Sequence, residues 1–108
     1  MADYIYLVQL DVPSELEDEF NRIYDEEHVP ALLAVPGVRR CVRYRLEHTN
    51  KKEGMARYAA VYEVDSADIP NGPTWRQQSD QGEWVTKIRP RLTNRSHSLF
   101  KKVVEHGA

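Results

Sequence analysis

The sequence predicts an α+β fold in which four strands and two helical segments follow one another in the order β-α-β-β-α-β. Three observations lead to this prediction: short runs of strand formers, two stretches with helical features, and polar or Pro/Gly-containing segments between them. Two helices can cover only one face of the resulting antiparallel sheet. The other face therefore needs a second copy of the chain, a ligand or a nucleic acid to cover it.

The first strand and the first helix are predicted in the acidic N-terminal third of the chain. Residues 4–10 are an apolar and aromatic run of strand formers, ended by the segment DVP. Ser14, with Glu17 three residues later, matches a capping box, and apolar residues then recur at helical spacing. The sequence therefore predicts strand one over 4–10 and helix one over about 14–28.

Helix one is predicted to break at His28. Pro30 has no backbone donor and disfavours helical geometry at Val29. A short turn would follow and end at Pro36-Gly37.

A hairpin is predicted after this turn. Residues 38–46 alternate in polarity, with Val38, Val42, Tyr44 and Leu46 on one face, interrupted by Arg40, and Arg39, Cys41, Arg43 and Arg45 on the other. The polar segment HTNKKEG turns the chain, and residues 57–64 (RYAAVYEV) predict strand three. Strand two is expected at a sheet edge, where its charged residues would discourage aggregation.

The second helical segment and the last strand follow. Pro73 suits a first helical position, Gly82 interrupts the helix, and residues 84–89 (WVTKIR) form a second short piece. Residues 92–104 predict a long fourth strand. This order of elements is that of a ferredoxin-like sandwich.

Length and composition indicate one domain, residues 1–108, in a soluble cytoplasmic protein. Apolar residues make up 41% and charged residues 30% of the chain, without low-complexity runs. No apolar run approaches the roughly 20 residues of a membrane span, and the N-terminus lacks the basic start of a signal peptide. No membrane partner is therefore expected. The single Cys41 cannot form an internal disulfide.

Charge is unevenly distributed, although the net charge is only −2. Residues 11–28 contain eight acids and one base, whereas residues 87–102 contain six Lys or Arg and no acid. RNA-recognition motifs share the β-α-β-β-α-β order and need aromatic and glycine residues on strand three. The segment RYAAVYEV lacks the glycine and carries Glu63, so no nucleic-acid partner is expected.

The chain resembles the EthD-like members of the dimeric α+β barrel superfamily. The resemblance lies in YDEEHVPALLAVPGV at 24–38, RYR at 43–45 and AAVYEVDS at 59–66, and extends to GPTW and IRPRLTNR. It implies a homodimer of two βαββαβ protomers paired sheet to sheet, with a cavity in each. It also implies a cofactor-independent isomerase, cyclase or monooxygenase of lactone or polyaromatic compounds.

His28 is the candidate catalytic residue. The resemblance places it where some relatives have a cavity histidine, and it continues the apolar stripe of Leu16, Phe20 and Tyr24 at a spacing of four. Its pKa is expected to stay near neutral, which suits proton transfer. The alternative is a structural histidine, favoured at a helix C-terminus by the helix dipole.

Further candidate substrate-binding residues are Tyr6, Arg43, Tyr62, Trp84 and His97. Arginine offers a planar fork of donors for a carboxylate or phenolate, so an anionic ligand is compatible with Arg43. Aromatic residues in a small domain are more often part of the core, and solvation is the favoured interpretation of His97. No metal site is predicted, since the histidines lack ligand spacing, and no cofactor is expected.

Two functions remain open at this point, in addition to the disfavoured RNA-binding module. The first is an isomerase, cyclase or lyase of a small aromatic or lactone compound, with a monooxygenase as a less favoured variant. The second is a dimer that binds a small hydrophobic or aromatic ligand without turnover.

Overall fold

A four-stranded antiparallel sheet forms one layer of the protein, as a computed structural model that describes residues 3–107 shows. The strands are β1 (Tyr4–Asp11), β2 (Val38–Arg45), β3 (Tyr58–Val64) and β4 (Thr93–Lys101). Their order across the sheet is β2-β3-β1-β4. The predicted α+β ferredoxin-like sandwich is confirmed, and β2 lies at an edge as expected. Strand β4 is shorter than predicted at both ends.

The second layer consists of helical segments packed on one face of the sheet. These are α1 (Glu17–Ile23), α2 (Val29–Leu33) and α3 (Pro73–Ser79), with two π-helical turns at Tyr24–His28 and Trp84–Ile88. Pro73 stands at the first position of α3, as predicted. Within the described part of the chain, no helix combines the length and apolarity that crossing a membrane requires.

The core lies between the two layers, because successive side chains of a strand point alternately toward the helices and away from them. The even-numbered residues of β1 and β3 face the helices, and those on β3 are all buried. Phe20 and Ile23 of α1, Leu32 of α2 and Ile88 of the second π turn are fully buried against them. Burying each such side chain stabilises the fold by roughly 1.5–3 kcal/mol.

Helix one starts differently from the prediction. Ser14 lies inside a short 3₁₀ turn, Ser14–Leu16, and makes no capping hydrogen bond. The carboxylate of Glu17 does not reach back to Ser14. It accepts a hydrogen bond from the Tyr58 hydroxyl and pairs with Arg57 at 3.3 Å. The capping-box prediction is wrong because these partners at the start of β3 compete for the same carboxylate.

The predicted break at His28 is also wrong. The helix continues through Val29 and Pro30 into α2, by way of the first π turn. The Val29 N–H donates to the carbonyl of Tyr24, five residues back. This wider turn accommodates Pro30, whose ring would otherwise press on a carbonyl of the preceding turn.

A β-bulge between Val38 and Arg40 changes which residues of β2 face the helices, compared with the prediction. Val38 is buried toward the helices, on the same side as Cys41 and Arg43. Val42 and Tyr44 face the opposite side. The bulge inserts one residue into the register, so the predicted apolar face of β2 is split between the two faces of the sheet.

The face opposite the helices, here termed the open face, carries apolar side chains. Its central row runs across the sheet through paired positions Val42, Val61, Leu7 and Ser98. Tyr44 and Phe100 flank this row and are 56% and 51% exposed. No segment among residues 3–107 covers this face with a second layer.

Candidate functional site

The first π turn places Tyr24 and His28 on the core side of the helix. Both side chains are buried, with Tyr24 2% and His28 6% exposed, while Asp25 and Glu26 face solvent. The His28 ring packs edge-on against the Tyr24 ring, with centroids 5.2 Å apart. Single π turns of this kind are frequent at functional sites, because they shift side chains relative to a regular helix.

The second π turn supplies the partner of His28. The Trp84 indole stacks on the imidazole with ring centroids 3.9 Å apart and planes 17° from parallel. The neighbouring Glu27 fixes this arrangement, since its carboxylate accepts a hydrogen bond of 2.8 Å from the Trp84 backbone N–H. Adjacent residues of one turn therefore hold the backbone and the side chain of Trp84.

A cavity of about 40 Å³ lies between the helices and the sheet. Aromatic rings line its interior, and basic side chains line it toward β4. The lining residues are Tyr6, Val8, Leu10, Tyr24, His28, Leu32, Tyr62, Trp75, Ser79, Trp84, Arg89, Leu92, Arg95 and His97. This volume holds a few water molecules, so a planar organic ligand requires displacement of lining side chains.

Five of the six predicted site residues line this cavity. They are Tyr6, His28, Tyr62, Trp84 and His97. Arg43 lies elsewhere, on the far side of Tyr24. It pairs with Asp25 at 2.6 Å and Asn21 at 2.7 Å, and its guanidinium lies 4.4 Å from the Tyr24 ring centroid.

The basic residues of the cavity are Arg89 and Arg95, which the sequence interpretation did not single out. Arg89 follows the second π turn and donates to Asp80 at 2.6 Å and to the Ser79 carbonyl at 2.7 Å. Arg95 lies on β4, on the helix side of the sheet. The sequence feature that pointed to these two arginines was the acid-free segment 87–102. Its position relative to His28 depends on the order of the strands.

Two tyrosine hydroxyls meet at the inner end of the cavity. The Tyr24 and Tyr62 oxygens lie 3.2 Å apart in a hydrogen bond. Burial raises the pKa of both phenols, and each remains protonated at neutral pH. Burial likewise raises the pKa of the neighbouring Cys41 thiol, which disfavours a reactive thiolate there. These hydroxyls can act as hydrogen-bond donors to a ligand oxygen.

The expectation of a near-neutral pKa for His28 is wrong. Burial lowers the pKa of this imidazole to about 3, with Arg89 and His97 adding electrostatic repulsion of the charged form. Burial, Arg95 and Arg89 also lower the pKa of His97. Among residues 3–107, no hydrogen-bond partner contacts the imidazole of His28. The imidazole is therefore neutral at physiological pH and available to a ligand.

The shifted pKa of His28 makes stability depend on pH. The unfolded chain binds the imidazole proton below pH 6.5 and the folded chain only below about 3. The free energy of unfolding should therefore fall as pH decreases through this window, by up to about 1.4 kcal/mol per pH unit. We expect His28→Gln to show a shallower decrease in urea denaturation. His48→Gln, at an exposed position, should follow the original protein, and an identical slope in all three would contradict the shift.

Gly82 positions the pair of Glu27 and Trp84. Its φ is +66°, and a Cβ there would lie 2.5 Å from the Glu27 Oε1 that accepts the Trp84 N–H. We expect Gly82→Ala to lower the free energy of unfolding by more than the roughly 1–2 kcal/mol that an alanine in the left-handed region costs. Gly54→Ala is the matched control, since Gly54 has φ +79° but only the end of Lys51 nearby. Equal destabilisation in urea denaturation would show that Glu27 moves aside freely.

Within the ranges that the structure describes, no three His, Cys, Asp or Glu side chains cluster closely enough to hold an ion.

Comparison with known proteins agrees with the fold. A family model, DUF4286 (domain of unknown function), matches residues 3–105. No curated protein matches the chain. Among solved structures, the chain is similar to the heme-degrader MhuD from Mycobacterium tuberculosis with two hemes in its active site. The TM-score is 0.66 at 19% identity, covering 96% of this chain and 99% of that one.

Two further structures carry the same fold. An EthD family protein from Bacillus halodurans gives a TM-score of 0.64 at 14% identity, with 93% and 99% coverage. A dimeric ferredoxin-like protein from an uncultured marine organism gives 0.64 at 19% identity, with 97% and 98% coverage. The predicted resemblance to EthD-like ferredoxin-like proteins is thereby confirmed at the level of fold.

Proposed function

This chain belongs to the DUF4286 family, and we propose that it is a homodimeric enzyme that moves a proton on a small aromatic or lactone compound through His28. The reaction would be an isomerisation, cyclisation or elimination. The observation that carries the proposal is a neutral imidazole beside two arginines in an aromatic cavity. The MhuD and EthD-family structures support it as proteins of the same fold, the first with a bound small molecule.

The proposed step is removal of a proton from a carbon next to a carbonyl. The C–H electron pair moves into the carbonyl to give an enolate, and the proton passes to a ring nitrogen of His28. Return of the proton to another carbon gives an isomer, and loss of a leaving group gives an elimination product. The step balances without an oxidant or a cofactor.

The surroundings of His28 disfavour a lone imidazolium more than an imidazolium that is paired with an anion. Burial and Arg89 oppose a lone imidazolium, which is why the pKa is low. An enolate formed beside the ring would offset that penalty, since opposite charges attract strongly where water is excluded. Arg89 and the Tyr62 hydroxyl would stabilise the enolate oxygen.

His28 also borders a second opening, which could return its proton to solvent. This outer groove, about 250 Å³, is lined by Glu27, His28, Ala31, Gln78, Gln81 and Gly82. It lies on the helix side, away from the basic residues of β4. Proton exchange with water would then not require the substrate to leave.

The dimer is proposed from the open face of the sheet. Its row of Val42, Val61 and Leu7 needs cover, and a protein of the same fold is described as dimeric. A second copy with the same apolar row is a self-complementary partner. The contact should exceed roughly 1,200 Å² in total.

A second candidate is binding of the same ligand without turnover. The observation in its favour is that no carboxylate among residues 3–107 orients the His28 ring, as the histidines of many catalytic sites require. Such a protein would need the cavity and the dimer but no proton transfer.

Proton exchange with deuterated water distinguishes the two candidates before the product is known. The protein is incubated in D₂O with a panel of aromatic ketones and unsaturated lactones, and proton NMR follows loss of the C–H signals. An enzyme of the proposed type should speed exchange at one carbon of at least one compound. Binding of panel members without faster exchange at any carbon would favour the binding protein.

A further inference from the structure

Apart from its tyrosines, the titratable side chains around the cavity are all bases, and the two arginines carry its positive charge. Arg89, Arg95, His28 and His97 line it, and no carboxylate does so within the described residues. We propose that the substrate carries a carboxylate and that Arg95 binds it at the mouth of the cavity, which makes Arg95 a specificity-determining residue. This inference rests on the proposed function only in that the same cavity holds the substrate.

The two arginines differ in their existing partners. Arg89 is held in place by an ion pair with Asp80 and a hydrogen bond to the Ser79 carbonyl, so part of its hydrogen-bonding capacity is used within the protein. Arg95 makes no ion pair with any of residues 3–107, and its side chain is exposed. Arg95 therefore provides the unpaired positive charge of the cavity, and its planar fork of donors matches a carboxylate.

The charge of Arg95 affects side chains that line the cavity. Burial and then the charge of Arg95 lower the pKa of His97, and the same charge opposes the rise that burial causes in the pKa of Tyr6. Both residues line the cavity. The Tyr6 and His97 rings lie 5.8 Å apart, centroid to centroid. Arg95 and His97 lie two residues apart on β4, and alternation places them on the helix side of the sheet. A ligand entering beside β4 would meet both.

Aromatic rings line the interior beyond the mouth. Tyr6 and Tyr62 each pack edge-on against Trp75, with centroids 5.4 and 5.2 Å apart. An aromatic or unsaturated lactone ring would pack against these side chains after they shift to enlarge the cavity. With its carboxylate on Arg95, such a ring would point inward toward His28. The position of the acid group would then select which carbon reaches the base.

Tryptophan fluorescence measures this binding directly, because the only two tryptophans, Trp75 and Trp84, both line the cavity. Benzoate, phenylacetate and 1-naphthoate are titrated beside the amide of each. The amides match the acids in shape and lack the charge. At least one acid should bind about tenfold or more tightly than its amide.

The substitution Arg95→Gln should remove this preference and leave amide binding unchanged. Lys101→Gln is the matched control, since Lys101 is an exposed base on the same strand and the same side of the sheet, outside the cavity lining. It should retain the preference. Equal binding of acids and amides, an unchanged preference in Arg95→Gln, or no binding of any acid would overturn the proposal.

Phenyl phosphate tests whether the anion is a carboxylate. Tighter binding of phenyl phosphate than of every carboxylate would overturn the assignment of the carboxylate. These titrations need no turnover, so they are independent of proton exchange. Loss of exchange with retained carboxylate preference would refute the proposed function alone, and the reverse result would refute the role of Arg95 alone.

Discussion

Replacement of His28 by glutamine is expected to lower proton exchange and turnover by at least about 10²-fold, the lower end for loss of a general acid–base. Glutamine keeps a hydrogen-bonding group of similar reach but cannot accept the proton. The protein should still fold, because the side chain at this position is enclosed by Trp84 and Tyr24 and an uncharged side chain can fill the same space. Exchange in D₂O and far-UV circular dichroism measure the two properties on the same samples.

The smaller variant His28→Ala should behave alike in activity and lose about 0.5–3 kcal/mol of stability, since it leaves Trp84 without its stacking partner. His48→Gln serves as control, because His48 is exposed and outside the cavity lining. It should keep full activity. Full activity in folded His28→Gln and His28→Ala would mean that His28 is structural.

Much of the fold could be predicted from the sequence because it depends on local patterns. Alternation in RYAAVYEV identified β3, and the order of elements identified the sandwich. The edge position of β2 followed from that order. These features depend on periods of two and 3.6 residues, which a single sequence displays.

The site was only partly predictable, because its chemistry depends on pairings distant in the chain. Proline at position 30 indicated a break, whereas the protein absorbs it in a π turn that keeps His28 inside. Arg43 was chosen for its place on β2, yet Asp25 and Asn21 bind it outside the cavity. Arg95 lines the cavity because β4 pairs with β1 and not with β2. The spacing of residues along the chain does not show which strands pair with each other.

The low pKa of His28 was missed for a related reason. Most of the acids near His28 were expected to face solvent and to raise its pKa only mildly, with burial acting in the opposite direction. In the structure they face solvent or bind Arg43 and Trp84, so burial is the largest effect on the imidazole. Burial of one residue depends on the packing of two helices and a sheet, which sequence spacing does not measure.

A charge at the centre of the open face is expected to abolish the proposed dimer. Val61 pairs with Val42 on one side and Leu7 on the other, in the middle of the sheet. Two-fold symmetry would bring two copies of Val61→Asp into one apolar interface, where unpaired carboxylates lose hydration and repel each other. We expect the dimer dissociation constant to rise at least about 10²-fold, which corresponds to about 2.7 kcal/mol.

Sedimentation at micromolar concentration measures the effect. Val61→Asp should sediment as a folded monomer of 12.6 kDa and the original protein as a dimer of twice that mass. Leu33→Asp is the matched control, because Leu33 is also an exposed apolar residue but lies on α2, across the core from the open face. It should remain dimeric. A monomeric original protein, or a dimer that persists in folded Val61→Asp, would mean that the open face is covered by something other than a second copy.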